Sequence, residues 1–149
     1  MAGRIEGKVA LIIGAGSVGP GWGNGRAIAT RFAEEGAKIF GVDFKLERMQ
    51  ETIEKVKACG GEIETAFCDV TQQQSIIDTV QACLARFGRI DILVNNVGGS
   101  AAGGPVEMSE EVWDSQVDTN LKSVFLTCKH VLPIMEKQGS GAMPRPLLN

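Results

Sequence analysis

Residues 8–35 constrain the fold of this chain more than any other stretch, because they place a glycine-rich loop between an apolar run and a helical pattern. Residues 8–13 are apolar after the initial lysine and end at Gly14, which predicts a strand buried on both faces. The glycine-rich loop extends to Gly25, and residues 26–35 then show helical spacing. A strand, loop and helix in this order predict a phosphate-binding site, because glycine admits close backbone approach and a helix N-terminus attracts anions.

The glycines of this loop fit two alternative registers. The first uses the literal G-x-G-x-x-G fingerprint, Gly14, Gly16 and Gly19. It would start the helix within a segment holding three further glycines, each of which costs a helix about 1 kcal/mol. The second register keeps Gly14 as the turn after the strand and makes residues 15–22 an enlarged loop. Its helix opens on three consecutive residues, Gly23, Asn24 and Gly25. We favour the second register, and a surface loop that binds no ligand remains the alternative.

Strand and helix patterns alternate along the rest of the chain. Further strands are predicted at residues 37–43, 63–70 and 90–94. A second helix is predicted at 46–58 and a third up to residue 87, with Thr71 as its N-cap. A long helix over 109–138 is capped by Ser109, and Pro133 would kink or shorten it. We therefore predict an α/β fold, a Rossmann-type doubly wound parallel sheet with strand order 3-2-1-4 that lacks its C-terminal strands.

Asp43 ends the second predicted strand, at the edge of the sheet where the glycine loop also lies. In a dinucleotide-binding fold a carboxylate at this position accepts hydrogen bonds from the adenosine ribose hydroxyls and repels a 2′-phosphate. The residue therefore favours NAD over NADP, although Lys45 and Arg48 lie close enough in sequence to keep NADP possible. A solvated aspartate at a strand end is the alternative.

Several motifs together resemble the classical short-chain dehydrogenase/reductase family, from about residue 7 to residue 141. They are the glycine loop with its Gly-Asn-Gly ending, the acidic end of strand two, Cys-Asp-Val-Thr at 68–71, Asp-Ile-Leu-Val-Asn-Asn-Val-Gly at 91–98 and Val-Asp-Thr-Asn at 117–120. The resemblance implies hydride transfer between a nicotinamide cofactor and a small-molecule carbonyl or secondary alcohol. Two departures are Ile13, where the family has threonine, and Val97, where it has alanine.

The resemblance also implies roles for individual residues. Asp69 would bond the adenine amino group and Val70 would line the adenine pocket. Asn96 and Gly98 would flank the ribose linkers of the cofactor. Asn120 matches the asparagine that holds a water in the family's proton relay, which makes it the one candidate catalytic residue. Apart from the resemblance, an asparagine within an apolar helix face already requires a hydrogen-bonding partner.

The rest of the family's catalytic set has no counterpart in this sequence. The chain of 149 residues contains no tyrosine, and the family's serine position falls near Leu148, with the Tyr-x-x-x-Lys motif beyond it. Two prolines within residues 143–149 exclude a central strand there. We therefore expect a partial NAD(P)-binding domain over 1–142 and an aberrant tail over 143–149, the mark of a frameshift, an alternative exon or an incomplete gene model. Catalysis by this chain alone is not expected, and the alternative is a non-catalytic dinucleotide-binding or subunit-pairing fragment.

Composition excludes several other classes of function. A formal net charge of −3 gives no reason to expect nucleic acid or an anionic membrane as partner. No leader or membrane-length apolar run is visible, which predicts a cytoplasmic protein. The four cysteines form no CxxC pair and His130 is the sole histidine, so we expect free thiols and no metal site. The helix at 109–138 presents an apolar face for a homo-oligomer or another association, and the fourth strand is expected to be an exposed edge.

Overall fold

A computed structural model describes residues 3–143 of the chain. Four strands form its sheet: β1 (Val9–Ile13), β2 (Lys38–Asp43), β3 (Ile63–Phe67) and β4 (Ile92–Asn95). All pairings are parallel and the strand order is β3-β2-β1-β4, which confirms the predicted 3-2-1-4 topology. The described part of the chain is thus an α/β Rossmann-like sheet.

Helices cover both faces of this sheet. They are α1 (Asn24–Glu34), α2 (Gln50–Ala58), α3 (Gln73–Phe87), α4 (Glu110–Val117) and α5 (Ser123–Gln138). A 3-10 turn (Leu46–Met49) leads directly into α2, and a π-helical turn (Asp118–Lys122) joins α4 to α5. The side chains of β1 alternate between two cores, because Ala10 and Ile12 pack with α1 and α2, whereas Leu11 and Ile13 pack with α3 and α5. This alternation explains why β1 is apolar at every position.

Strand β3 is shorter than predicted, and Thr71 does not cap the helix that follows. The strand ends at Phe67 because the next residues form a turn around Asp69. The Asp69 carboxylate accepts hydrogen bonds from both the backbone N–H and the hydroxyl of Thr71, at 3.0 and 2.7 Å. Helix α3 therefore begins at Gln73, with no side-chain cap at Gln72.

Strand β4 begins two residues later than predicted. The Ile90 N–H donates to Gln138 Oε1 at 3.1 Å, and Gln138 Nε2 donates back to the Ile90 carbonyl oxygen at 2.8 Å. The Gln138 side chain at the end of α5 thus forms hydrogen bonds with the Ile90 backbone that a neighbouring strand would otherwise form. Asp91 lies at the same end of the sheet, where its carboxylate accepts the Val9 N–H at 2.9 Å.

The long C-terminal helix differs from its prediction in two respects. Ser109 is the predicted N-cap, its hydroxyl accepting the Val112 N–H at 3.4 Å. The π-helical turn interrupts the helix, and nothing in the sequence pattern indicated it. Pro133 does not shorten the helix, which continues to Gln138.

The outer edge of β4 is already paired at one point, so the expectation that it is an exposed edge is wrong there. Ala142 forms a parallel bridge with Ile92. Its N–H donates to the Asp91 carbonyl oxygen at 2.9 Å, and its carbonyl oxygen accepts the Leu93 N–H at 3.0 Å. Residues 144–149, which include most of the predicted aberrant tail and the serine position near Leu148, lie outside the described residues.

Candidate functional site

A cleft of about 450 Å³ opens at the carboxyl ends of β1, β2 and β4. Ligands of open α/β sheets bind at this edge, beside the point where the strand order reverses, here between β1 and β4. Of the predicted cofactor-binding residues, the cleft is lined by Gly14, Asp43, Asp69, Val70, Asn96 and Gly98. The structure therefore brings together residues that are up to 84 positions apart in the sequence.

Gly14 makes the turn out of β1, as the second register requires. Its φ of +85° is one that a side chain disfavours, and its N–H donates to the Val42 carbonyl oxygen at 2.8 Å. The first turn of α1 packs directly on this turn, because a Cβ on Gly25 would lie 1.8 Å from the Gly14 carbonyl oxygen. The same oxygen accepts a 2.9 Å hydrogen bond from Asn96 Nδ2. Gly14 and Gly25 are thus both needed for one close backbone contact.

Helix α1 begins as the second register predicts. Gly23 is its N-cap, and it supplies no side-chain hydrogen bond to the first turn. The first turn also contains no acidic residue. The earliest N–H groups of a helix have no intrahelical acceptor, so this end of α1 carries donors and positive dipole charge that favour an anion. Gly23, Asn24 and Gly25 themselves are not among the residues that line the cleft.

Gly16 is a residue whose importance the preferred register missed. Its N–H donates to Asp43 Oδ2 at 3.3 Å. A Cβ on Gly16 would lie 2.7 Å from that oxygen and 2.8 Å from Arg48 Cβ, so no larger residue fits without a shift. Gly19, by contrast, has nothing within 4 Å of its Cβ position. Of the three glycines in the literal fingerprint, the structure therefore requires Gly14 and Gly16 but not Gly19.

Asp43 and Arg48 form the end of the cleft beyond β2. Asp43 Oδ1 accepts the Lys45 N–H at 3.1 Å and lies 4.0 Å from Arg48 Nη1. The Asp43 side chain is 12% exposed and that of Arg48 is 31% exposed, and both line the cleft. This end of the cleft therefore holds both a carboxylate that can accept hydrogen bonds from ribose hydroxyls and a guanidinium that can pair with a phosphate.

The segment after β3 forms the wall around Asp69. Val70 is 7% exposed and supplies an apolar surface. Asp69 Oδ1 accepts both hydrogen bonds from Thr71, whereas within residues 3–143 no group donates a hydrogen bond to Oδ2. Burial raises the pKa of the neighbouring Cys68 thiol, which therefore stays neutral near pH 7. This wall offers one free carboxylate oxygen beside an apolar surface.

Asn120 lies on the π-helical turn and is not among the lining residues. Its Oδ1 accepts the Gly99 N–H at 3.0 Å, and its Nδ2 donates to the Gly99 carbonyl oxygen at 2.9 Å. Nδ2 also donates to the Gln116 carbonyl oxygen at 2.9 Å. The partner that the sequence required is thus the backbone of the loop after β4. Thr119 lines the cleft instead; it belongs to the Val-Asp-Thr-Asn motif, but the sequence analysis gave it no role.

The remaining surface shows one further feature predicted from the sequence. Three large apolar side chains are each about 60% exposed along α4, the π-helical turn and α5, namely Trp113, Leu121 and Phe125.

Within residues 3–143, no cluster of three histidine, cysteine or acidic side chains could hold a metal ion. In the same part of the chain, no helix combines the length and apolarity needed to cross a bilayer.

Comparison with known proteins adds to this geometry. A family profile described as short chain dehydrogenase matches residues 8–143. The 3-oxoacyl-acyl-carrier-protein reductase FabG of Thermotoga maritima is 36% identical over 140 residues, which make up 94% of this chain and 55% of that protein.

Two crystal structures resemble the fold closely. One is of a protein assigned to the short-chain dehydrogenase/reductases, from Burkholderia xenovorans, with a TM-score of 0.94 and 55% identity over 97% of this chain and 55% of that one. The other is a metagenomic short-chain oxidoreductase in complex with NADP, with a TM-score of 0.87 and 31% identity over 95% of this chain and 62% of that one. The chain thus spans little more than half the length of these proteins.

Proposed function

This chain belongs to the short-chain dehydrogenase family, and from that premise we propose that its cleft binds a nicotinamide dinucleotide through the adenosine and pyrophosphate parts. The observation that carries the proposal is the contact between Gly14 and Gly25, which places an uncapped helix N-terminus behind the turn that ends β1. The residues present fit such a cofactor, because the N-terminus of α1 behind this turn offers backbone donors for phosphate and the cleft offers carboxylates for hydroxyl and amino groups.

Each end of the cleft has its own role in this proposal. Asp43 accepts hydrogen bonds from the adenosine ribose, and Asp69 accepts one from the adenine amino group through its free Oδ2. Val70 packs against the adenine ring, and Gly98 leaves space for the part of the cofactor beyond the pyrophosphate. Asn96 acts indirectly, since its amide holds the Gly14 turn.

We propose that the cofactor is NAD in preference to NADP. The carboxylate of Asp43 is held in place by the Gly16 and Lys45 N–H groups, so it remains where a 2′-phosphate would lie. Arg48 is the counter-argument, because it lines the same end of the cleft and could pair with that phosphate. The metagenomic relative is in complex with NADP, which is a second counter-argument.

For the whole protein we propose oxidoreduction of a small-molecule carbonyl or secondary alcohol. When bound, the nicotinamide supplies or accepts the hydride. Asn120 holds the Gly99 backbone beside the cleft, and in the family's proton relay it would also hold a water. Because the 149 residues contain no tyrosine, we propose that they bind cofactor without turnover, as a partial domain over 1–142.

A second proposal concerns association. Trp113, Leu121 and Phe125 expose large apolar side chains along one helical segment, and such surfaces pack against protein more favourably than they face water. We propose that this face associates with another subunit, in a homo-oligomer or with a longer relative. Concentration-dependent sedimentation of the parent chain and of Phe125→Glu tests the homo-oligomer, which a strictly monomeric parent would refute.

Calorimetric titration with NADH and NADPH tests the cofactor proposal. We expect NADH to bind more tightly than NADPH. Asp43→Ser removes the repulsion and leaves Arg48 free, so its preference should move toward NADPH by about tenfold or more. The matched control is Asp78→Asn, an exposed carboxylate on α3 that bonds Gln74. Absence of any heat from the parent at millimolar ligand would refute dinucleotide binding.

Turnover is tested separately by NADH oxidation over a panel of ketones. We expect none from the 149-residue chain. A robust rate that is lost in Asn120→Ala would show that the missing tyrosine is not essential here, and the proposal of binding without turnover would then be abandoned.

A further inference from the structure

A buried guanidinium lies beside the glycine-rich loop, although the helix pattern alone gives no reason for a charge there. Arg26 is in the first turn of α1 and is 3% exposed. A buried charge is tolerated only when it is paired and hydrogen-bonded, because the water it loses on burial must be replaced. The partners of Arg26 therefore indicate which parts of the structure it connects.

These partners lie on the glycine-rich loop and around the start of α2. Nη1 donates to the Gly21 carbonyl oxygen and to Glu51 Oε2, the latter at 2.5 Å. Nε donates to Thr52 Oγ1 at 3.3 Å, and Nη2 donates to the Arg48 carbonyl oxygen at 3.4 Å. One side chain thus connects α1, the end of the loop and the start of α2.

The two α2 residues in this network hold the loop at both of its ends. Thr52 Oγ1 donates to the Ala15 carbonyl oxygen at 2.9 Å. At the other end, the Gly21 N–H donates to Glu51 Oε2 at 3.4 Å. Helix α2 therefore holds the enlarged loop over residues 15–22 through the first residue of the loop and through its second-to-last residue.

The middle of the loop faces the cleft between these attachments. Ser17 and Val18 line it, and the Gly16 N–H is held by Asp43. We propose that Arg26 is a positioning residue that, together with Glu51, clamps this loop in the shape that receives the dinucleotide pyrophosphate. This inference rests on the proposed dinucleotide binding and deepens it, because it assigns phosphate affinity to a side chain that does not line the cleft.

The test compares ADP-ribose, which contains the pyrophosphate, with adenosine, which does not. Both ligands are titrated by NMR chemical-shift change into the 149-residue chain and its variants. Arg26→Met keeps an apolar stem and removes the fork of donors. Arg31→Met is the matched control, because Arg31 is on the same helix but is 60% exposed and pairs only at the surface.

If Arg26 holds the loop in shape for pyrophosphate, its replacement should weaken the binding of only the ligand that contains phosphate. Hydrogen bonds to charged groups are strong enough that Arg26→Met should weaken ADP-ribose binding by about tenfold or more. Adenosine, which uses Asp43 and Asp69, should change by less than about twofold, within the range of a surface substitution. Arg31→Met should bind both ligands as the parent does.

Glu51→Gln provides a second variant, and Trp22 provides a direct view of the loop. Glu51 is 36% exposed, so Gln at this position keeps the shape and removes the counter-charge, and we expect about threefold weaker ADP-ribose binding. Lys55 Nζ lies 4.3 Å from the Trp22 ring centroid. In a Trp113→Phe background, Trp22 is the remaining tryptophan, and its emission reports the position of the loop relative to Lys55. The emission should change in Arg26→Met, where the loop is released, and stay unchanged in Arg31→Met.

The outcomes separate this inference from the proposal beneath it. If the parent chain fails to bind ADP-ribose, the proposed function fails. If the parent binds and Arg26→Met binds ADP-ribose equally well, or loses both ligands in equal measure, the clamp is overturned. It is overturned also if neither Arg26→Met nor Glu51→Gln folds by circular dichroism, because the network would then determine folding rather than loop shape.

Discussion

Replacing Gly25 by alanine tests which glycines form the proposed phosphate-binding turn. The new Cβ would lie 1.8 Å from the Gly14 carbonyl oxygen, whereas ordinary contact begins near 3.4 Å, so α1 and the turn must separate by about 1.6 Å. Forcing extra atoms into packed structure costs about 1–3 kcal/mol. The Asn96 hydrogen bond to the same oxygen is lost as well, at about 1 kcal/mol.

A smaller effect opposes this loss. Alanine is the better helix former by about 1 kcal/mol, which offsets part of the cost. We therefore expect Gly25→Ala to lower the free energy of unfolding by about 1–3 kcal/mol. Urea unfolding followed by circular dichroism measures this change, and NADH binding should be lost with it because the turn and the helix N-terminus move apart.

The control is Gly19→Ala in the same loop. Its Cβ meets nothing within 4 Å, so the free energy of unfolding should be unchanged or raised by up to about 1 kcal/mol. The reasoning is refuted if Gly25→Ala stays within about 0.5 kcal/mol of the parent, the range of a surface substitution. The opposite pattern, in which Gly19→Ala abolishes NADH binding, would restore the literal fingerprint.

Three further predictions follow from other parts of the molecule. Burial would raise the pKa of Asp91, but its bonds to Arg89 and to the Val9 N–H outweigh burial and lower it. The Asp91 carboxylate therefore stabilises the fold above its ordinary pKa of 3.8, and this stabilisation is lost as the pH falls through the lowered pKa. In pH-dependent urea unfolding, Asp91→Asn should lose less stability than the parent as the pH is lowered. The exposed Cys59 should react with a disulfide reagent at pH 8 well before Cys83, whose pKa burial raises to about 12, and equal rates would contradict this assignment. Asn120→Ala should speed amide hydrogen exchange at Gly99 by about tenfold, since two hydrogen bonds to that residue disappear, and unchanged protection would show that other contacts hold the loop.

Local patterns were sufficient to predict the four strands, the helices between them and their order, but not the π-helical turn within the C-terminal helix. The apolar run of β1 and the helix that opens at Asn24 could be read from the sequence, because burial on two faces and the energetic cost of glycine in a helix are local properties. The strand order followed from alternation and right-handed crossovers. Of the residues that line the cleft, Gly14 and Asp43 were predicted from the ends of two strands, because strand ends of a parallel sheet meet at one edge. Asp69, Val70, Asn96 and Gly98 were named only through the family resemblance.

Contacts between distant segments decided what these patterns could not. Gln138 delays the start of β4 and Asp69 ends β3 early, because a side chain that satisfies backbone groups removes them from the sheet. Ala142 pairs with the edge that the sequence left open.

The glycine-rich loop shows the same division. The pattern of residues 8–35 was enough to predict a glycine-rich turn between β1 and α1, and the structure contains one. The need for a glycine at position 16 beside Asp43, and the bonds from Arg26 to α2, became visible only in the folded chain. The physical reason is that propensity and periodicity act over a few residues, whereas close packing and buried charge are satisfied by partners that the fold brings from elsewhere in the chain.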